Sequence, residues 1–328
     1  MSARGIAVAA LLIGVICAAA LGCALWLGGP APIAPLASIN QPFSRVDFSR
    51  LPPLAHYTAR DGQALAYRRY GPAPDAADAR RRIVLVHGSS AHGQSMHPLA
   101  QALARAGFTV DALDMRGHGS SGPRGDIAYV GQLEDDLEDF VRQVPFAGPS
   151  TLLGFSSGGG FVLRVAGGAR QGLFDRYVLL SPYLRHDAPT ARPDNGDWAS
   201  VGVPRLLALR LLNRLGVARF NHLPVLRFAL DDEARSHLTP SYSHALAANF
   251  GPRGDYAGDI AHAPPALRAL VGGSDELFYP DRFDAVFAAA GKPGVVTVVP
   301  GIDHIGMTLA PAALDAAVAA CRQAPPKL

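Results

Sequence analysis

Apolar runs alternate with helical stretches along most of the chain. Six runs rich in β-branched and aliphatic residues predict strands: 82–87, 108–113, 150–155, 176–180, 266–271 and 295–299. Because helical segments separate them, the alternation predicts an α/β fold, with a mostly parallel central sheet and crossover helices on both faces. Two earlier runs, 57–59 and 65–70, flank the Asp61-Gly62 turn and predict an antiparallel hairpin that leads into the sheet.

The strand pattern stops between residues 182 and 263, where leucine-rich helical patches take its place. A structureless loop of this length is uncommon in a compact domain, so we predict a helical cap inserted between two strands. Its clearest helix is predicted over residues 203–220, with four leucines on one face: Leu206, Leu209, Leu212 and Leu215. That face either packs on the domain or forms a membrane-facing lid surface.

An uncharged, mostly apolar run follows Arg4 and continues to Gly29. At about 1.5 Å per residue it is long enough to cross a hydrocarbon core of about 30 Å. Three interpretations are open: an uncleaved transmembrane signal anchor over residues 1–29, a signal peptide cleaved at the small residues 18–22, and a lipoprotein acylated at Cys23. We favour the anchor, because the apolar run continues beyond these sites and places Trp26 where an interfacial aromatic belongs.

The positive-inside rule, with Arg4 as the inner charge, predicts a single-pass protein whose folded part is periplasmic or extracellular. Cleavage of the N-terminal segment would instead give a secreted protein. Residues 30–54 are rich in proline and small residues and predict a tether over the membrane surface. We therefore expect the α/β core over residues 55–181 and 264–323, with the cap over 182–263.

Charge and cysteine content narrow the possible partners. The 328 residues carry a formal net charge of +3, and the longest basic run, Arg80 to Arg82, directly precedes an apolar strand. No block of like charge marks a nucleic-acid arm, so we expect no nucleic-acid partner. Two of the three cysteines lie in the apolar N-terminal run, which leaves Cys321 without a partner for a disulfide inside the core.

The strongest chemical signal is a Gly-x-Ser-x-Gly motif at residues 154–158, between an apolar strand and an apolar helix. In this context the motif predicts a nucleophile on a sharp strand-to-helix turn, where Gly154 and Gly158 are needed for their lack of side-chain bulk. Ser156 is the predicted nucleophile. The helix start directs backbone N–H groups at the developing negative charge, so Ser157 is predicted to supply one donor of an oxyanion hole.

A second oxyanion donor has to come from another loop. The small-residue turn at the end of the strand over residues 82–87 is suited to this role, with Ser89 as the preferred donor and Ser90 as the close alternative. His87 lies before the turn, on the strand itself. We interpret it as a structural histidine that orders its own loop by hydrogen bonding.

A serine hydroxyl needs a base to take its proton and a third group to orient that base. Among eleven histidines, His304 lies in a loop after the last predicted strand, at the carboxyl end of the sheet. Asp275 lies just past the preceding strand, and the chain order Ser156, Asp275, His304 is a known order for such triads. Glu276 and Asp303 are the rival acids.

These motifs, together with the sequence Asp-Met-Arg-Gly-His-Gly-Ser-Ser at residues 114–121, resemble α/β-hydrolases of the monoacylglycerol lipase, lysophospholipase and serine aminopeptidase group. The resemblance covers about residues 57–321. It implies an α/β-hydrolase fold with a cap over 182–263, a triad of Ser156, Asp275 and His304, and an oxyanion hole at Ser89 and Ser157. The acid loop departs from these relatives at residues 276–280.

The same resemblance implies that Arg116 and His118 brace the active-site loops and are not catalytic. The predicted function is hydrolysis of carboxylic esters through an acyl-enzyme on Ser156. The membrane helix and the leucine-rich cap favour a lipid-like substrate, such as a monoacylglycerol or a lysophospholipid. No zinc-ligand cluster, dinucleotide motif or Walker loop occurs in the sequence, so we expect neither a metal nor a cofactor.

Two alternatives stay open. A serine aminopeptidase-like peptide hydrolase is expected to place an acidic cap residue against the free amine of its substrate, and Asp231, Asp232 or Glu233 could fill that role. A catalytically inactive binding protein belongs to a different class. The intact set of predicted triad residues argues against it.

Overall fold

The computed structural model describes residues 3–72, 80–193 and 198–323. Its strands are β1 (Leu54–Thr58), β2 (Ala64–Tyr70), β3 (Arg82–Val86), β4 (Thr109–Leu113), β5 (Ser150–Phe155), β6 (Arg176–Leu180), β7 (Ala199–Val201), β8 (Pro224–Phe228), β9 (Ser241–Ser243), β10 (Leu267–Gly272) and β11 (Val296–Val299). Its α-helices are α1 (Ala3–Leu27), α2 (Ala37–Asn40), α3 (His97–Arg105), α4 (Gln132–Gln143), α5 (Ser157–Ala166), α6 (Val203–Arg214), α7 (Asp232–His237), α8 (His244–Asn249), α9 (Tyr256–His262), α10 (Phe283–Ala289) and α11 (Pro311–Arg322).

The central sheet has eight strands in the order β1-β2-β4-β3-β5-β6-β10-β11. It is parallel from β4 to β11, and β1 and β2 add the predicted antiparallel hairpin at one edge. The six predicted parallel strands agree with the structure to within one residue at each end. Alternate residues of β3 enter two different apolar clusters, Val84 in one and Leu85 in the other. Helices α4 and α5 cover the first cluster, and α3 and α11 cover the second.

The strand register brings several loops together at one edge of the sheet. Val86 at the end of β3 is paired with Gly154 near the end of β5, and Gly272 at the end of β10 is paired with Val299 at the end of β11. Parallel strands that end in register place the loops that follow them side by side. The loops predicted to hold the nucleophile, the acid, the base and the oxyanion donors all leave the sheet at this edge.

The insertion between β6 and β10 is only partly helical, which corrects the prediction of a helical cap. It contains helices α6 to α9, but β7, β8 and β9 also form a three-stranded antiparallel sheet within it. These strands are only three to five residues long. A strand so short shows little alternation of polar and apolar residues, so its pairing is decided by its neighbours in space.

Helix α6 ends at Arg214, six residues before the predicted end. Gly216 has a left-handed φ of 78°, and the N–H of Val217 donates to the carbonyl of Leu212 at 2.8 Å. This is a Schellman ending, which glycine favours because it lacks Cβ. Leu209 and Leu212 are buried, which agrees with a face that packs on the domain, but Leu215 lies beyond the helix and is 69% exposed.

Helix α1 meets the length and composition required of a membrane span. Its most apolar 18-residue stretch has a mean hydropathy of 2.7, and none of that stretch is buried within the structure. The end of the helix does contact the insertion, because Leu25 joins Leu209 and Leu212 of α6 in a small buried cluster. Helix α1 is therefore connected to the catalytic domain by packing as well as by the chain.

The segment between α1 and β1, predicted as a tether over the membrane surface, makes contacts with the domain. The N–H of Leu36 donates to the carbonyl of Ala229 at 2.9 Å, and Ile39 is 8% exposed. The segment thus lies against the domain. Sequence patterns did not indicate this because the contacts are long-range: Asn40 bonds to Ala229, which is 189 positions later in the chain.

Candidate active site

His304 lies between Ser156 and Asp275. Its Nε2 is 3.0 Å from the Ser156 Oγ, and its Nδ1 is 2.8 Å from the Asp275 Oδ2. The histidine and the aspartate are fully buried, and the serine is 8% exposed. The fold brings Ser156 and His304 together across 148 positions of sequence.

Ser156 lies on a strained turn between β5 and α5. Its φ of 54° and ψ of −120° are angles that L-residues rarely adopt. A side-chain carbon at Gly154 would overlap the carbonyl of Gly158, and one at Gly158 would overlap the carbonyl of His87. Both glycines are thus required by the close approach of backbone, as the motif predicted.

Asp275 is held as a carboxylate by several donors. Its Oδ1 accepts the N–H groups of Leu277 and Phe278 at 2.9 and 3.0 Å. Burial acts to raise the pKa of Asp275, but the charge and hydrogen bond of His304, with the Ser181 hydroxyl and the Leu277 N–H, lower it below its ordinary value overall. An ionised Asp275 is suited to fix the tautomer of His304.

The two rival acids are occupied elsewhere. Glu276 accepts the backbone N–H of His304 at 2.9 Å through its Oε2. Asp303 accepts the backbone N–H of Gly306 at 2.7 Å through its Oδ1. Of the three acids, Asp275 is the one that contacts the imidazole ring, while Glu276 holds the backbone of the same histidine.

Ser89 and Ser157 lie next to each other beside the nucleophile. Their hydroxyl groups share a hydrogen bond, and Ser157 is the first residue of α5. Within the described part of the chain, no hydrogen bond uses the backbone N–H of either residue. The N–H of Ser90, by contrast, donates to the Tyr242 hydroxyl at 2.6 Å. This geometry favours Ser89 over Ser90 as the second oxyanion donor.

A protein-family model described as serine aminopeptidase, S33, matches residues 77–304, which is more than two thirds of the chain. The chain belongs to the S33 family of α/β-hydrolases. The match includes Ser156, Asp275 and His304, and it begins after the segment that connects α1 to β1.

Similar sequences and structures agree with this family. The chain is 40% identical over 122 residues to a monoacylglycerol lipase of Mycolicibacterium smegmatis, covering 35% of this chain and 42% of the relative. It is 30% identical over 166 residues to a monoglyceride lipase of Rattus norvegicus, covering 49% and 50%. The chain therefore spans half or less of the length of these curated relatives.

Solved structures share the fold over a longer range. A soluble variant of a monoglyceride lipase from Saccharomyces cerevisiae superposes with a TM-score of 0.64 at 18% identity, covering 83% of this chain and 94% of that one. A monoacylglycerol lipase from Paleococcus ferrophilus gives 0.56 at 21% identity, covering 78% and 99%. At these identities the likeness establishes the α/β-hydrolase fold.

His87 has the structural position in this S33-family chain that its sequence suggested. Its Nδ1 is 2.8 Å from the Gly88 carbonyl, and its Nε2 accepts the Met115 N–H at 3.2 Å. These partners require a neutral ring protonated on Nδ1. Burial, followed by the nearby His118, lowers the pKa of His87 well below its ordinary value, which favours the same neutral form.

Arg116 contacts the loops around the site, not the site itself. Its guanidinium pairs with Asp136 at 2.7 Å and with Asp61 at 2.8 Å. Asp61 lies in the turn between β1 and β2, and Asp136 lies in α4. The residue thus connects the 114–121 loop to two neighbouring elements.

Tyr242 lies beside the predicted site, and no sequence pattern indicated it. It is 2% exposed, and its hydroxyl contacts both the Ser90 N–H and the His118 Nε2, each at 2.6 Å. No motif surrounds it. The short polar sequence Ser-Tyr-Ser of β9 gave no signal beyond its β propensity.

Ser156 lies in the wall of a cavity of about 500 Å³. Apolar side chains from three parts of the chain line it: Ile39, Phe43 and Phe48 from the segment before β1, Met96, Phe155 and Ile305 from the core, and Trp198 and Leu238 from the insertion. Polar side chains, among them Ser89, Gln94 and Thr308, also line this cavity. A cavity that combines apolar walls with polar groups is typical of small-molecule sites.

The three acidic residues of the insertion have different positions. Asp231 caps the start of α7, where it accepts the Ala234 N–H at 2.8 Å. Asp232 is fully exposed to solvent. Glu233 is exposed and, like Asp231, lines the cavity that holds Ser156. No group of three or more potential metal ligands occurs among residues 3–72, 80–193 and 198–323.

Proposed function

We propose that this chain hydrolyses carboxylic esters through an acyl-enzyme on Ser156. The observation that carries the proposal is the position of the His304 ring, within hydrogen-bond distance of both Ser156 and Asp275. In this arrangement the imidazole takes the hydroxyl proton as the oxygen attacks, while the carboxylate keeps the ring in the required tautomer.

The proposed reaction has two similar halves. Ser156 Oγ attacks the ester carbonyl, its proton passes to the Nε2 of His304, and the N–H groups of Ser89 and Ser157 stabilise the resulting oxyanion. The C–O bond to the alcohol then breaks, and the alcohol leaves with the proton from His304. Water repeats these steps on the acyl-enzyme and releases the acid.

The lining of the cavity supports a lipid-like substrate, such as a monoacylglycerol or a lysophospholipid. Phe43, Met96 and Leu238 offer apolar surface in the cavity that holds Ser156, which suits an acyl chain. The names of the two curated relatives, a monoacylglycerol lipase and a monoglyceride lipase, support the same class. The substrate partner is thus a small or lipid ester.

An aminopeptidase-like peptide hydrolase is the second candidate. The observation that favours it is the exposed carboxylate of Glu233 in the lining of the cavity, where it can pair with a free amine. Under the ester proposal, Glu233→Gln leaves ester turnover within about twofold. Under the peptidase proposal, the same change raises the KM for an amino-acid p-nitroanilide.

Fluorophosphonate labelling tests the nucleophile directly. Wild type and Ser156→Ala are compared with Ser274→Ala, a control serine in the loop after β10. We expect wild type and the control to be labelled and Ser156→Ala to remain unlabelled, with monoolein and p-nitrophenyl ester turnover lost in parallel. Equal labelling of all three proteins would reject Ser156. Absence of labelling in wild type would favour a binding protein.

We also infer that α1 is retained as a membrane anchor, with residues 30–54 as its connection to a core over 55–181 and 264–323. Arg205 of α6 donates to the carbonyls of Leu25 and Trp26, at 2.6 and 3.1 Å. The last carbonyls of a helix lack intrahelical partners and carry partial negative charge, so a cation stabilises them. Cleavage at residues 18–22 would leave only a short remnant of the helix that Arg205 binds. We propose a catalytic domain outside the cytoplasm.

A further inference from the structure

Residues 36–48, here named the strap, separate the membrane helix from the first strand. We propose that the strap forms one wall of the acyl-chain pocket and determines which chain lengths the enzyme accepts. The inference rests on the proposed esterase function and adds to it a specificity element. Its basis is that Ile39, Phe43, Val46 and Phe48 all line the cavity that holds Ser156.

The strap is fixed at its first end by the insertion. The Asn40 Nδ2 donates to the carbonyls of Leu36 and Ala229, at 2.7 and 3.0 Å, and its Oδ1 accepts the N–H of Asp231 at 3.2 Å. The side chain thus closes the α2 turn and joins it to the insertion. Ile39, the residue before Asn40, is buried in the same apolar cluster as Phe228.

The second end of the strap lies against the core. Phe43 packs on the apolar cluster that contains Phe155 and Ile305, both of which also line the cavity. The Phe48 ring lies 5.9 Å from the ring of His97 at the start of α3. The strap therefore crosses the cavity between two fixed points, with apolar side chains facing the space beside the nucleophile.

Two features distinguish the wall formed by the strap from the rest of the cavity. It precedes residue 77, so it lies outside the matched family segment and is supplied by this chain's own N-terminal region. Its cavity-facing positions are mainly apolar, whereas Gln41, Arg45 and Asp47 between them are exposed. A surface of this kind distinguishes acyl chains by the number of methylene groups that it buries. Each buried methylene group changes the binding constant about fourfold.

The test compares chain-length profiles of full-length variants. Phe43→Ala enlarges the pocket and Phe43→Trp fills it, while Leu51→Ala is the control, a half-buried apolar residue of the same connection that does not line the cavity. The readout is kcat/KM for p-nitrophenyl acetate, butyrate, octanoate and laurate. We expect both Phe43 variants to change the laurate-to-acetate ratio of kcat/KM about fivefold or more, with the profile of the Leu51→Ala control unchanged.

A uniform change for all esters, or no change in the ratio, would overturn the role of the strap. If Phe43→Ala does not fold, Val46→Ala tests the same wall with a smaller deletion. Labelling rates with fluorophosphonates bearing ethyl or dodecyl chains provide a second readout that does not require turnover. Failure of the esterase proposal would show as wild-type labelling without ester hydrolysis. Failure of the strap would show as equal discrimination between the two probes in wild type and variants.

Discussion

The hydroxyl of Tyr242 accepts the backbone N–H of Ser90 at 2.6 Å and lies 2.6 Å from the Nε2 of His118. Because His118 Nδ1 faces the carbonyl of Arg116 at 3.2 Å, the ring carries its proton on Nδ1 and accepts from the tyrosine on Nε2. One oxygen thus accepts once and donates once. It connects β9 of the insertion to the loop that holds Ser89.

Removal of the Tyr242 hydroxyl should make the loop that holds Ser89 less well ordered. For Tyr242→Phe we expect kcat to fall about tenfold with little change in KM, less than the loss on removing an oxyanion donor outright. The free energy of unfolding should fall by about 1–3 kcal/mol, because buried partners lose their hydrogen bonds. Steady-state kinetics and urea unfolding measure the two effects. The control is Tyr129→Phe, which removes an exposed hydroxyl that donates to Asp135; equal kinetics in both variants would contradict the role of Tyr242.

The three candidate acids can be separated by isosteric amides. In Asp275→Asn the amide N–H₂ favours the wrong tautomer of His304, so kcat should fall by about 10⁴. Glu276→Gln keeps an oxygen that can accept the His304 N–H, and Asp303→Asn keeps one for Gly306, so both should stay within about fivefold of wild type. Turnover of a short p-nitrophenyl ester is the measurement. A larger loss of kcat in Glu276→Gln or Asp303→Asn would indicate that the mutated residue, and not Asp275, is the acid of the triad.

The free energy of unfolding should decrease as the pH is lowered, and His118 should account for part of this decrease. Burial lowers the pKa of His118 to about 3, so the folded protein resists protonation that the unfolded chain accepts below about pH 6.5. A depressed pKa contributes stability above the unfolded value, and this is lost as pH falls toward 3, at about 1.4 kcal/mol per pH unit. The free energy of unfolding, measured in urea between pH 7 and pH 5, should depend less on pH in His118→Gln than in wild type. The difference in slope should correspond to about one proton. Identical slopes would exclude this contribution.

The state of the N-terminal helix can be read from the mature protein. If α1 is retained, the intact mass includes residues up to Gly29, and the protein stays in the membrane fraction after carbonate extraction. Cys23→Ser should behave in the same way, because the anchor does not depend on acylation. Release of Cys23→Ser into the soluble fraction would support a lipoprotein. A mass lacking the first 18–22 residues would support a cleaved signal peptide.

Much of the sheet and of the site could be predicted because their signals are local. The buried parallel strands are continuous apolar runs, and the turn around Ser156 requires its glycines within a few residues. Asp275 and His304 were predicted from their positions after two strands, since strand ends that meet at one sheet edge bring distant loops together. The insertion was harder, because strands as short as Ser241–Ser243 show no period.

By itself, the sequence determined the α/β class, the apolar helix and the residues that carry the proposed chemistry, because hydrophobic period, length and close backbone packing act between near neighbours. Only the tertiary structure decided which groups complete the site. The proposed roles of Tyr242, Asn40 and Phe43 depend on contacts across 100 positions or more, and nothing near them in sequence marks such contacts. Burial next to distant partners, not residue type, gives these side chains their roles.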